Sequence, residues 1–148
     1  MTRAALAGFA VDLGGTKMTV ARIEAGQVVE SRTEATNRSG DLSHQLDRIA
    51  RLLHDLGHGP GARLGVAVTG LVSRDGLWSA VNAATLPAIA DAPLRAALAD
   101  QFGAATCCND SLAATLAEAW FGAGQGCRDF AYLTVSTGIG GGLVLNGH

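Results

Sequence analysis

Val11-Asp12-Leu13-Gly14-Gly15-Thr16-Lys17 and Val135-Ser136-Thr137-Gly138-Ile139-Gly140-Gly141-Gly142 share one layout, an apolar run, a polar residue, a glycine turn and a return into apolar sequence. The first copy sits in a meander. Phe9 to Leu13 is apolar apart from Asp12, Met18 to Ile23 is apolar and β-branched, and Gln27 to Glu34 supports a third strand. This pattern predicts three antiparallel strands whose first connection is the glycine pair.

Downstream, Leu42, Leu46, Ile49, Leu53 and Leu56 recur at helical spacing and form one apolar stripe. Ser39 or Asp41 can cap that helix, and Gly57-His58-Gly59-Pro60 ends it. Leu64 to Thr69 is nearly all apolar, as expected of a strand buried on both faces. Residues 71–92 read as an irregular insertion with a turn at Asp75-Gly76. Leu94, Leu98 and Phe102 predict a short helix after Pro93. Ala105 to Cys108 predicts a small buried strand in which Cys107 and Cys108 pack as small hydrophobes. Asn109-Asp110-Ser111 then opens a helix with a stripe at Leu112, Leu116 and Trp120, and Trp120 is expected in the core. Phe130 to Val135 and Leu143 to Leu145 flank the second glycine turn.

The predicted order is βββαβαβα followed by ββ. The closing pair repeats the opening one, as an internal duplication would. Residues 1–125 are therefore read as an N-terminal α/β lobe, and residues 126–148 as the first hairpin of a second lobe cut short. Asn146-Gly147 is itself a hairpin signal, and the strand it should feed is not in the chain. An isolated hairpin is marginal in water, so self-association or poor solubility is expected of this chain alone.

Composition narrows the function. Apolar residues are 48% and charged residues 16%, enough for a core. The net charge of −2 argues against a general nucleic-acid or acidic-membrane binder. The 20 glycines are roughly twice average usage. Lys17, beside the first glycine pair, is the one lysine among 11 basic residues. The apolar start up to Val11 is closed by Asp12 and reads as a strand, not a leader. The segment from Phe130 on is too rich in glycine, serine and threonine for a membrane span. Cys107, Cys108 and Cys127 are odd in number with no CxxC spacing, so neither a disulfide framework nor a zinc site is expected within these residues. The chain reads as cytoplasmic and reduced.

The residues able to carry chemistry are few. In Asp12 to Lys17 the glycines let backbone N–H groups approach phosphate oxygens. Thr16 offers a hydroxyl, Lys17 a charge, and Asp12 a carboxylate for magnesium, usually through water. A plain surface hairpin is the competing reading, and the Walker spacing is absent. Thr137 to Gly142 lacks G-x-G-x-x-G and leads into a strand, which excludes a dinucleotide fingerprint. Two such turns can grip a polyphosphate from both sides. Asp110 can cap its helix, and an ionised carboxylate there can also accept a proton from a substrate hydroxyl. His54 and His58 have metal-ligand spacing, but Gly57 interrupts the helix and a structural role is favoured.

With these residues in place, the sequence resembles the ROK (repressor, open reading frame, kinase) sugar-kinase family of the actin-like ATPase (ribonuclease H-like) superfamily. Val11 to Lys17 resembles the first phosphate motif, and Val66 to Val72 the strand and turn beside the sugar. Asn109-Asp110 resembles the catalytic pair, and Val135 to Gly142 the second phosphate motif. The match runs through the chain and covers about the first half of a typical member. Thr69-Gly70 and Val135-Ser136-Thr137-Gly138 look most like the family's bacterial N-acetylmannosamine kinases.

That resemblance implies ATP-dependent phosphorylation of N-acetyl-D-mannosamine at its 6-hydroxyl, in sialic-acid catabolism. It implies Asp110 as the base, and Gly70, Asn109 and Asp110 at the sugar. Ala10, Asp12, Gly14, Gly15, Thr16, Lys17, Thr137, Gly138, Gly140, Gly141 and Gly142 would lie at the nucleotide. Asp12 would face Mg2+, and Thr137 the transferred phosphate. Many relatives carry asparagine where Thr85 precedes Leu86 here, so both Asn82 and Thr85 are candidates for the sugar. The family's Glu-x-Gly-His and zinc motifs would lie beyond His148, and the 148-residue chain is expected to be inactive alone. The full-length protein is expected to be a homo-oligomer with ATP and a sugar as partners, and neither nucleic acid nor membrane. The alternatives are a glucokinase or other ROK hexose kinase, and a non-catalytic sugar- or nucleotide-binding module. A repressor of the family would need a helix-turn-helix ahead of Asp12.

Overall fold

A computed structural model describes residues 6–81, 85–135 and 139–147. They form two compact units, residues 1–108 and 109–148. In the first, strands β1 (Gly8–Leu13), β2 (Lys17–Glu24) and β3 (Gln27–Ala35) form the meander. Helix α1 (Leu42–Asp55) follows, then β4 (Leu64–Val68), a small hairpin β5 (Leu71–Val72) and β6 (Trp78–Ser79), helix α2 (Leu94–Phe102) and β7 (Ala105–Asn109). The sheet order is β3-β2-β1-β4-β7. Pairs β1/β2 and β2/β3 are antiparallel, and β1/β4 is parallel. The parallel pair needs a crossover, which α1 supplies.

The alternation of β1 sets the architecture. Val11 and Leu13 are buried, whereas Asp12 between them is exposed on the other face, beside Thr19 of β2 and Ala67 of β4. The buried face meets the α1 stripe, with Leu46, Ile49, Leu52 and Leu53 all in the core. Each such side chain contributes about 2 kcal/mol of burial. Asp41 caps α1 by accepting the His44 N–H at 3.0 Å. At the other end Gly57, with φ of 83°, lets its own N–H reach His54 O and the His58 N–H reach Leu53 O, a Schellman closure.

Two expectations for this unit change. Strand β4 is buried on one face only. Leu64, Val66 and Val68 are buried, while Gly65 is exposed and Ala67 half-buried. The run looked uniformly apolar because its outward residues are small, not because they are covered. β7 is an edge strand, and its Cys107 and Cys108 are half-buried. Burial still pushes the Cys107 thiol above its ordinary value. The insertion holds the β5–β6 hairpin, whose two-residue strands are too short to leave a periodic signal.

The second unit joins α3 (Asp110–Phe121) to the hairpin of β8 (Phe130–Val135) and β9 (Ile139–Val144). Helix α3 thus groups with the hairpin in the second unit. The stripe reading of α3 is corrected as well. Thr115 is its buried residue, while Leu112 is 45% and Trp120 56% exposed. Glycines on β9 admit only the short side chains of the neighbouring helix face. Asn146 and Gly147 both take positive φ, 55° and 84°, as the Asn-Gly signal requires.

Candidate functional site

Unit 1 gathers its candidates at the ends of β1 and β4. The turn between β1 and β2 closes with the Gly14 N–H on Lys17 O at 3.0 Å. Thr16 and Lys17 are exposed. The Thr69 N–H donates to Leu13 O at 3.0 Å, so the residue preceding Gly70 is fastened to the residue preceding Gly14. Gly70 is required by its backbone. Its φ is 97°, and an added Cβ would lie 2.4 Å from Ser79 O and 3.1 Å from Ala80 Cα. Gly15 is required by a neighbour, since a Cβ there would lie 2.1 Å from the Thr85 methyl. Thr85, read from the sequence as a sugar candidate, therefore packs against the glycine turn. Asn82 lies outside the described residues.

Three further residues, which the sequence did not single out, hold these loops. Thr36 donates its hydroxyl to Gly14 O at 2.7 Å, and its N–H to Thr16 O at 2.9 Å. Trp78, fully buried, donates its indole N–H to Thr69 O at 2.8 Å. Gln45, fully buried on α1, donates to Asn37 O at 2.6 Å and Gly40 O at 3.2 Å. A lone threonine, tryptophan and glutamine leave no motif. The available signal was a polar residue at a core-facing position, as Gln45 is beside Leu46.

Unit 2 carries Asn109, Asp110 and the glycines of β9. Asp110 is not the cap. Asn109 takes that role, its side-chain oxygen accepting the N–H groups of Ser111 at 2.9 Å and Leu112 at 3.2 Å, and also the Ser111 hydroxyl. Asparagine sits at the last extended residue, with φ −65° and ψ 147°, which is the geometry a cap needs. Asp110 becomes the first helical residue. It is half-buried, its Oδ1 accepts the Ser111 N–H at 2.7 Å, and its Oδ2 has no partner among the described residues.

On β9 the glycines alternate in use. An added Cβ would lie 3.3 Å from Ser111 Cβ at Gly140 and 2.4 Å from Thr115 Oγ1 at Gly142. Both glycines seat α3, the helix that begins with Asp110. Gly141 points to the other face with Leu133, Val135, Ile139 and Leu143, each at least 67% exposed among the apolar members. Thr137 and Gly138 lie outside the described residues.

The donor chemistry suits a phosphate ligand with a weakly held metal. Among the described residues no three His, Cys, Asp or Glu side chains cluster. Magnesium on a nucleotide needs one or two carboxylates and keeps waters, and exposed Asp12 on β1 meets that need. His54 is exposed, and the His58 ring packs edge-on to Phe9 at 5.0 Å and Phe102 at 6.0 Å, a structural role. No helix among the described residues is long and apolar enough to cross a membrane.

Comparison with known proteins adds an independent line. A profile of the ROK family matches residues 8–148. The chain is 39% identical over 139 residues to the bifunctional enzyme NanE/NanK of Brucella melitensis, covering 93% of this chain and 26% of that protein. It is 34% identical over 138 residues to the N-acetylmannosamine kinase of Haemophilus influenzae, covering 93% and 45%. It superimposes on the ROK family glucokinase of Streptomyces griseus, solved in complex with glucose and AMPPNP, with a TM-score of 0.79 at 25% identity, covering 97% and 46%. The chain spans less than half the length of each.

Proposed function

The chain belongs to the ROK family, and on that premise we propose that it is the N-terminal portion of an ATP-dependent kinase acting on the 6-hydroxyl of N-acetyl-D-mannosamine. Its fold is that of the actin-like sugar kinases. The observation that carries the reading is Asp110, a carboxylate fixed through one oxygen by the helix it opens and unpartnered at the other among the described residues. That second oxygen is the base. It takes the hydroxyl proton as the sugar oxygen bonds to the γ-phosphorus of ATP and the bridging P–O bond to ADP breaks. Asn109, by capping α3 itself, leaves the Asp110 carboxylate available. The Gly15 backbone N–H, Thr16, Lys17 and the β9 glycines are assigned to phosphate oxygens, and Gly70, Asn82 and Thr85 to the sugar. Asp12 would hold Mg2+ through water, where the ion's charge offsets that of the phosphates. Phosphoryl transfer needs little more from a protein than this positioning and charge compensation.

Similarity to N-acetylmannosamine kinases supports the choice of sugar. The test is ATP consumption by the full-length protein with N-acetylmannosamine, N-acetylglucosamine and glucose in competition. Asp110→Asn should cut kcat by about 10²–10⁴-fold, with ATP affinity retained. Near-normal turnover by that variant would remove Asp110 as the base, and a preference for glucose would move the protein to a sibling hexose kinase.

A further inference from the structure

We propose that Thr36 is a positioning residue for anion binding at the first glycine turn: its hydroxyl holds the Gly14 carbonyl and so turns the Gly15 N–H of the same peptide outward, as a donor to a phosphate oxygen. The inference rests on the kinase reading above and adds a residue to it.

Thr36 follows β3, far from the turn in sequence, yet it is only 8% exposed and touches the turn twice. Its Oγ1 meets Gly14 O at 2.7 Å, and its N–H meets Thr16 O at 2.9 Å, so one residue brackets Gly15 from both sides. No described peptide bond is cis. In a trans peptide the C=O and the N–H point in opposite directions. Fixing the Gly14 oxygen inward therefore fixes the Gly15 N–H outward, and no described residue accepts that N–H. The Thr85 methyl occupies the space a Cβ would take at Gly15 and blocks the peptide from swinging that way. Thr36 is itself held, because Gln45 of core helix α1 grips the next carbonyl, Asn37 O, at 2.6 Å. The turn thus presents a preset donor, and binding spends little on ordering it.

The experiment compares the full-length protein as wild type, Thr36→Val and Thr36→Ser. Valine keeps the shape and removes the hydroxyl. It should raise the KM for MgATP and the Kd for MgADP about tenfold, as expected for one hydrogen bond to a charged ligand, while the sugar KM stays within about twofold. Serine should return both nucleotide constants to within about twofold of wild type. In the wild type, the Gly15 amide resonance should shift on titration with MgADP. A nucleotide KM unchanged in Thr36→Val overturns the proposal. So does a parallel rise in both KM values that serine does not rescue, which is the mark of general structural damage. So does MgADP binding that leaves the Gly15 amide unmoved, an arm that needs no variant to fold. A wild type that binds no nucleotide would instead bring down the kinase reading, and this proposal with it.

Discussion

The turn at Gly14-Gly15 is fastened by residues from three other segments, Thr36 after β3, Thr69 after β4 and Thr85 in the insertion. Within its unit, the β8–β9 hairpin is backed by α3, and its opposite face carries exposed Leu133, Val135, Ile139 and Leu143. The two stretches match in sequence layout, but their glycines do different work. In the first, the missing side chain frees a backbone that other segments then fix, peptide by peptide. In the second, the missing side chains at Gly140 and Gly142 make room for Ser111 and Thr115, so that the helix opening with Asp110 lies close on the strand. The polar support differs as well. Glu34 near the end of β3 pairs with Arg48 and Arg51 of α1 at 2.9 and 2.8 Å, just ahead of Thr36. All the ion pairs among the described residues belong to the first unit.

The largest test of this contrast is Gly142→Ala. Its Cβ would lie 2.4 Å from Thr115 Oγ1 and 3.0 Å from Thr115 Cβ, so α3 itself must move. A loss of about 1–3 kcal/mol is expected, read as faster amide hydrogen exchange in α3 and β9. Exchange rates like those of wild type would mean that the helix does not depend on that glycine. Gly15→Ala comes next. Its clash is with one methyl, Thr85 Cγ2 at 2.1 Å, so Thr85→Ser should relieve it. The single variant should weaken MgATP binding about tenfold, on the scale of one lost phosphate contact, and the double variant should recover most of it. Equal loss in both would break the distinction drawn between the two turns.

The smallest effect is expected at Glu34→Gln. Hydrogen bonds from Arg51, then Arg48, hold the Glu34 carboxyl below its ordinary range. A depressed folded value means that the stabilisation is present above the ordinary carboxylate range and is lost as pH falls through the folded value. Wild type should exceed the variant by no more than ~1 kcal/mol near neutrality, since the pair is partly exposed. The gap should close in strong acid in urea titrations. A gap that widens on acidification would contradict the sign.

Much of this was legible in the chain. The meander, α1 and the first glycine turn follow from periods of two and 3.6 and from turn chemistry, all local properties. Asn109-Asp110 was found as a pair, but its division of labour was not, because either residue type can cap a helix and only φ and ψ say which one stands at the last extended position. The exposure of Trp120 is hidden from the sequence for a related reason. A stripe tells which residues share a helix face, not whether anything covers that face. Thr36, Gln45 and Trp78 leave no signal in the sequence because their partners are carbonyl oxygens, which every residue has.

The sequence by itself determined where this chain turns, which strands and helices it forms, and a short set of candidates for meeting phosphate or accepting a proton. Those choices rest on backbone sterics and on periodicity within a few neighbouring residues. Only the tertiary structure decided which polar group fixes which peptide, since a hydrogen bond such as that from Thr36 to Gly14 joins segments that nothing in their local sequence relates.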